Sequence, residues 1–211
     1  SSSGASTETT SAASTSSTAP APASLPGPRG AGPYRVIMVC TGNICRSAMA
    51  EVVLRDRLAA AGIPDSGPGG VTVTSAGVSD EERGNPIDSR ARRVLTEAGY
   101  GVGADDVSRA TGIAIASHTA HRVTDAEITE ADLLLAMTDS HWNVLQRRAG
   151  ALGAEPDRIR MYRELDPAST QQVEAVAHQV DDVAGQIDGL VVAARNMAAS
   201  MPQLCDTMCS R

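Results

Sequence analysis

Four short strand-like runs, most of them followed by a stretch with helical spacing, constrain this chain more than any other feature. The runs are RVIMVC from Arg35, VTVTSAG from Val71, ADLLLAMT from Ala131 and RIRMYREL from Arg158. Each reads as a strand, and RVIMVC, apolar and β-branched, reads as a buried one. The first leads into SAMAEVVLRDRLAAAG, where Ser47 opens a helix, Met49, Val52, Val53 and Leu58 recur on one face, and Gly62 closes it. The second leads into NPIDSRARRVLTEAGYG, with Pro86 and Asp88 in the first turn and Gly99 at the end. DSHWNVLQRRAGAL follows the third run as another helix. After the fourth, Val173, Val176, Val180, Val183, Ile187, Val191 and Ala194 recur at spacings of three and four, an apolar stripe within a helix from Gln171 to about Met197. GVGADDVSRATGIAIAS, from Gly101, reads as a loop insertion. Strands that alternate with helices pair in parallel, because each return crossing is made by the helix. The expected fold is therefore α/β, a doubly wound four-stranded parallel sheet with helices on both faces. Such sheets bind ligands beyond the carboxyl ends of their strands, and Cys40 sits at one of those ends.

The core of such a sheet has an unusual palette here. The chain of 211 residues has no Phe, one Trp and three Tyr, so Val, Leu, Ile, Ala and Met must fill it. All 18 basic residues are Arg, a pattern that reads as a GC-rich coding bias rather than a functional signal. Residues 1–33 hold one Leu and no other large apolar side chain, so they read as a disordered Ser/Ala/Thr/Pro-rich tail. The α/β domain is expected over residues 34–200, with a C-terminal tail at 201–211. A net charge of −7 argues against nucleic acid or an acidic membrane as partner. No apolar run is long enough to span a bilayer, and the N-terminus lacks the basic start and apolar stretch of a signal peptide. Four cysteines are too few for a disulfide framework, so free thiols in a reducing, cytoplasmic setting are expected.

The chemistry concentrates in CTGNICRS, Cys40 to Ser47. A thiol becomes a good nucleophile when a helix N-terminus or a cation lowers its pKa, and Arg46 with the helix from Ser47 supplies both. Thr41, Gly42, Asn43, Ile44 and Cys45 can wrap into a cradle. Gly42 permits close backbone approach or positive φ, and Asn43 tolerates the left-handed conformation while tying the loop to itself. A curled loop points its amides at a tetrahedral anion. Arg46 grips two of the anion's oxygens in a planar fork. Ser47 can donate to the sulfur. The arrangement suits attack by sulfur on a phosphate monoester. The other phosphate loop, G-x-x-x-x-G-K-[ST], is absent, which excludes an NTP site of that kind.

VCTGNICRSAMAE resembles the signature of the low-molecular-weight protein tyrosine phosphatases. TSAG, GNPIDSRARRVL, HTAHRVT, DLLLAM and RIRMYRELDP continue the resemblance from Tyr34 to Pro167. It implies that Cys40 is the nucleophile that becomes a phosphocysteine and that Arg46 binds phosphate and stabilises the transition state. It implies loop-shaping and substrate-binding roles for Thr41, Gly42, Asn43, Ile44, Cys45 and Ser47, with Ser75 in support. It also implies that Cys45 can form a protective disulfide with Cys40. Ile44 goes with the phosphotyrosine-type members. The expected partners are a phosphotyrosine protein or small aryl phosphate, with phosphate or sulfate in the loop and no cofactor.

The chain departs from that family in four places. Ala48 stands where Pro is usual. The general acid is an Asp in a late D-P-[YW] loop, and Asp166-Pro167 is the candidate dipeptide here. In one alignment Asp166 is that acid. In the other, favoured by the match of the preceding residues, it belongs to an earlier Asp-Pro and the acid loop is missing. Asp181 and Asp182 read as a solvated helix face. Glu81 and Glu82 stand near the aromatic wall that packs on the substrate ring. Cys205 and Cys209 lie four apart and read as free thiols. A redox pair there would make the chain a relative of the thioredoxin-coupled arsenate reductases, and a missing acid would make it a phosphate-binding module. His118 and His121, spaced H-x-x-H, lack the further ligands a metal needs.

Overall fold

The computed structural model describes residues 25–165. Asp166, Asp181, Asp182, Cys205, Cys209, the helix expected from Gln171 and most of the N-terminal tail lie outside that range. The elements run β1 (Tyr34–Cys40), α1 (Arg46–Ala60), β2 (Val71–Gly77), α2 (Ser89–Glu97), α3 (Asp106–Ser117), α4 (Asp125–Glu130), β3 (Leu133–Ala136), α5 (Asp139–Leu152) and β4 (Ile159–Met161). The four strands form one parallel sheet in the order β2-β1-β3-β4.

Both faces of this sheet are covered at its centre, which is why β1 from Val36 to Cys40 and all of β3 are buried without alternation, while the edge strand β2 alternates Val71 and Val73 with the more open Thr72 and Thr74. In β1, Val36 and Met38 face one core, and Ile37 and Val39 face the other. In β3, Leu133 and Leu135 divide from Leu134 and Ala136 in the same way. The first core is closed by α1 and α2 through Met49, Val53, Leu54, Leu58, Ala91 and Leu95. The second is closed by α4 and α5 through Ile128, Leu145 and Ala149. Tyr162 and Tyr100 fill places in the first core where the composition supplies no Phe.

The structure adds α4, to which the sequence reading assigned no element, and differs from that reading in three further places. The stretch from Gly101 contains a helix, α3, rather than a loop throughout. It escapes an apolar-stripe test because Thr111 is the buried residue on it. What holds it is the Asp105 cap, whose carboxylate accepts from the Ser108 amide, and a Thr111 hydroxyl bond to Asp56 of α1. The fourth strand is shorter than its apolar run, because Tyr162–Leu165 turns into a 3-10 helix. Residues 25–33, which composition puts in the tail, pack against the domain. Leu25 lies on the first core, the Tyr34 hydroxyl donates to the Pro26 carbonyl at 2.8 Å, and the Arg29 amide donates to Asp132 Oδ1 at 2.6 Å.

Strands β2 and β3 flank β1 on opposite sides, so the chain reverses its winding direction at β1. The crevice at the carboxyl ends of β1 and β3 is the topological switch point, where such sheets hold ligands.

Candidate active site

Cys40 ends β1 and Arg46 begins α1, so five residues cross from strand to helix. Their carbonyls are tied outward to separate parts of the fold. The Cys40 carbonyl accepts from the Val78 amide at 2.9 Å, and that of Thr41 from the Ser79 amide at 3.0 Å. The Asn43 carbonyl accepts from His118 Nε2 at 2.6 Å, and that of Ile44 from the Asp88 amide at 2.8 Å. A trans peptide points its N–H opposite its C=O, and no peptide here is cis. Tying those four carbonyls outward therefore turns the amides of Thr41, Gly42, Ile44 and Cys45 the other way. None of these amides donates to a protein acceptor among the described residues.

The helix that follows is open in the same sense. Asp88, Asp105, Thr124 and Thr138 cap α2, α3, α4 and α5 with side-chain hydrogen bonds. At α1 the capping residue is Cys45, with no such bond. The first-turn amides and the positive end of the helix dipole are thus left without a side-chain cap.

Asn43 organises the interior of the loop. It is fully buried, at 0% exposure, and its φ of 61° is the left-handed conformation that Asn tolerates. Its Nδ2 donates to Ser47 Oγ at 3.0 Å and to Ser75 Oγ at 2.8 Å, and its Oδ1 accepts from the His121 amide at 3.2 Å. The directions of these bonds can be deduced. Ser75 Oγ lies 2.5 Å from Glu51 Oε2, and an ionised carboxylate only accepts, so Ser75 donates there. Asn43 supplies one proton to Ser75 and one to Ser47. The Ser47 hydroxyl therefore keeps its own proton for Cys40 Sγ, 2.9 Å away.

Two glycines are required by crowding. A Cβ on Gly77 would lie 2.5 Å from the Thr41 carbonyl oxygen. A Cβ on Gly42 would lie 2.8 Å from Glu82 Cγ, so Gly42 serves close approach and not positive φ. Glu82 thus rests directly on the loop, and its carboxylate accepts from Asn85 Nδ2 at 2.7 Å.

Arg46 is half-buried at the head of α1 and makes no ion pair or hydrogen bond with another described residue. Cys40 and Cys45 are both free thiols. Burial raises the pKa of Cys45, and the charge of Cys40 raises it further. Hydrogen bonds from Arg90 hold Asp88 down at about 2, against the effect of burial, so the α2 cap beside Ile44 stays anionic.

The structure brings Cys40, Thr41, Gly42, Asn43, Ile44, Cys45, Arg46, Ser47 and Ser75 together as the sequence places them. The H-x-x-H pair is used on the loop's outside. His118 holds the Asn43 carbonyl, and His121 pairs its ring with Glu127 at 2.8 Å. Among the described residues no group of three His, Cys, Asp or Glu is arranged to hold a metal, and no helix is long and apolar enough to cross a membrane. The sequence reading missed Glu51 and His141. Glu51 was legible as the last residue of CTGNICRSAMAE. Nothing local marks His141, which reaches Thr41 across 100 positions.

Comparison with known proteins follows this geometry. The family described as "Low molecular weight phosphotyrosine protein phosphatase" matches residues 35–182. Low molecular weight protein-tyrosine phosphatase A of Mycobacterium tuberculosis is 38% identical over 137 residues, covering 65% of this chain and 70% of that protein. The low molecular weight protein-tyrosine-phosphatase of Streptomyces coelicolor is 34% identical over 135 residues, 64% of this chain and 71% of that protein. The crystal structure of the low molecular weight protein tyrosine phosphatase from T. tengcongensis superposes with a TM-score of 0.60 at 27% identity, covering 79% of this chain and 99% of that one.

Proposed function

The chain belongs to the low molecular weight phosphotyrosine protein phosphatase family, and from that premise we propose that it hydrolyses phosphotyrosine or other aryl phosphate monoesters through a phosphocysteine intermediate. The observation that carries this reading is the set of loop amides without protein acceptors, placed between Cys40 and the uncapped start of α1. Unpaired amides facing one volume are costly unless an anion or water meets them. Arg46, without a carboxylate partner among the described residues, adds a fork for two anionic oxygens.

In the first step Cys40 Sγ, as thiolate, attacks phosphorus and forms the P–S bond. The bond from phosphorus to the leaving phenolate oxygen breaks, and that oxygen takes a proton. The Ser47 hydroxyl, directed at the sulfur by Asn43, stabilises the thiolate before attack and again as it leaves. In the second step water attacks phosphorus, the P–S bond breaks, and inorganic phosphate is released. Arg46 and the loop amides hold the equatorial oxygens through both steps. Asp166 is the candidate proton donor to the leaving group. A reducing cytoplasm suits this chemistry, because the nucleophile has to remain a thiol.

Turnover of p-nitrophenyl phosphate with rapid-quench trapping of the phosphoenzyme tests the reading. Cys40→Ala is expected to abolish both turnover and the trapped phosphoenzyme. Arg46→Met is expected to lower kcat/KM by about 10²- to 10³-fold, the usual effect of losing a transition-state donor. Asp166→Asn is expected to cost about 10²-fold or more if that carboxylate is the acid, and a change below tenfold removes it from the mechanism. Binding of inorganic phosphate without wild-type turnover would overturn the proposal in favour of a phosphate-binding module. Arsenate reduction dependent on Cys205 would replace it with a redox reaction.

A further inference from the structure

His141 is a buried histidine that the chemistry above does not use, and it spans the crevice where the site lies. It occupies the first turn of α5, capped by Thr138. Its Nε2 lies 2.8 Å from the Thr41 hydroxyl and its Nδ1 lies 3.0 Å from the Thr138 hydroxyl. Its backbone amide also donates to Thr138 Oγ1, at 3.4 Å. The ring is 3% exposed. Thr41 is the first residue after the nucleophile, and Thr138 follows β3. One imidazole therefore clamps the loop after β1 to the segment after β3, across the switch point of the sheet.

Resting on the phosphatase reading, we propose that His141 is a positioning residue for the anion loop, holding Thr41 and hence the Thr41–Gly42 peptide in the orientation that presents its amide to phosphate. The Thr41 carbonyl is already fixed to the Ser79 amide on the β2 side. The hydroxyl bond to His141 fixes the same residue from the α5 side. Two anchors on opposite sides of one residue leave its peptide plane no soft rotation. Without the second anchor, Thr41 is an exposed residue next to a glycine and turns with little cost. The ring acts in its neutral form: burial, and then the nearby Arg46 charge, push its pKa down to about 4. A neutral ring beside Arg46 leaves that guanidinium's field undivided for the substrate anion.

The test compares His141→Ala, His141→Gln and Thr41→Val with the wild type. The Gln amide reaches the Nε2 position, and Thr41→Val removes the hydroxyl from an exposed site without touching the core. His141→Ala and Thr41→Val are each expected to lower kcat/KM for p-nitrophenyl phosphate by about 10- to 100-fold, the scale of a misplaced reacting group. His141→Gln is expected to recover at least tenfold of that. The double variant is expected to be no worse than the worse single one, because both cut the same bond. Inorganic phosphate affinity, measured by calorimetry, should weaken in parallel. Wild-type kcat/KM in Thr41→Val, no recovery in His141→Gln, or additive losses would each overturn the proposal, and Thr41→Val answers even where His141→Ala fails to fold. A wild type that binds phosphate without turnover sinks the phosphatase reading alone, and the phosphate affinities of the same variants then decide the role of His141. A wild type that does neither sinks both.

Discussion

Replacing Asn43 by alanine separates the loop's hydrogen bonding from its backbone conformation. Three side-chain bonds disappear, to Ser47, to Ser75 and from the His121 amide. At about 1 kcal/mol net for each, the loss is about 3 kcal/mol. Ser75 still has Glu51 and Ser47 still has Cys40, so those hydroxyls are not orphaned. The His121 amide is left without a partner among the described residues, which adds about 1 kcal/mol. A φ of 61° costs a non-Gly residue without Asn's local bonding about 1–2 kcal/mol. The sum is about 5–6 kcal/mol, a large part of the stability of a domain this size. Asn43→Gly loses the same three bonds without the φ penalty, partly offset by about 0.5–1 kcal/mol of backbone entropy. Alanine should therefore be about 1 kcal/mol worse than glycine. Urea unfolding checks this. At a slope of about 2 kcal/mol/M, the midpoint should fall by about 2.5–3 M in Asn43→Ala and somewhat less in Asn43→Gly. A shift under 0.5 M in Asn43→Ala, or a glycine variant less stable than the alanine one, would refute the reasoning.

Further outcomes follow from the same contacts. Gly77→Ala places a Cβ 2.5 Å from the Thr41 carbonyl, so the loop must shift; expect about 1–3 kcal/mol of destabilisation with phosphate affinity down at least tenfold, by urea unfolding and calorimetry. Asp132 is 4% exposed and accepts from the Arg29 and Arg35 amides at 2.6 and 2.8 Å, with Arg158 at 4.0 Å; Asp132→Ala should cost about 3–5 kcal/mol in thermal or urea unfolding while sparing KM, since the residue lies at the far ends of the strands. The Glu127 hydrogen bond raises the pKa of His121 against the effect of burial. In turn His121 and Thr124 lower that of Glu127, although burial opposes them. His121 therefore adds stability that is complete below about pH 6.5 and fades as pH rises through its raised pKa. Glu127 adds stability that is lost as pH falls below about 4.5. Glu127→Gln, which keeps the capping box, should flatten both limbs of a stability-against-pH curve, and an unchanged curve would exclude the pair.

What the chain's own text reveals depends on how far apart the interacting residues lie. Strand positions were legible because both faces of the sheet are buried, so Val36 to Val39 needed only to be apolar. Helix α5 was legible because Thr138 and Gly153 mark its two ends with local chemistry. A capping box, Thr124 to Glu127, signals α4 equally plainly, although the sequence reading assigned no element there. Residues 25–33 were not legible, because Leu25, Arg29 and the Pro26 and Gly27 carbonyls hold them to partners elsewhere in the chain, and composition carries no information about such partners.

The loop itself divides along the same line. Local sequence supplies the thiol, the arginine, the left-handed Asn43 and the serine that meets the sulfur. It does not supply the direction of the amides. That comes from carbonyl partners on Val78, Ser79, Asp88 and His118, and on the proposal above from His141, which arrive from four other regions of the fold. A peptide carrying CTGNICRS alone would have every donor and no shared direction for them. On the proposed reading anion affinity belongs to the folded sheet, and substitutions outside the motif, at Gly77 beside Cys40 in the sheet or at His118, should weaken phosphate binding while leaving the motif intact.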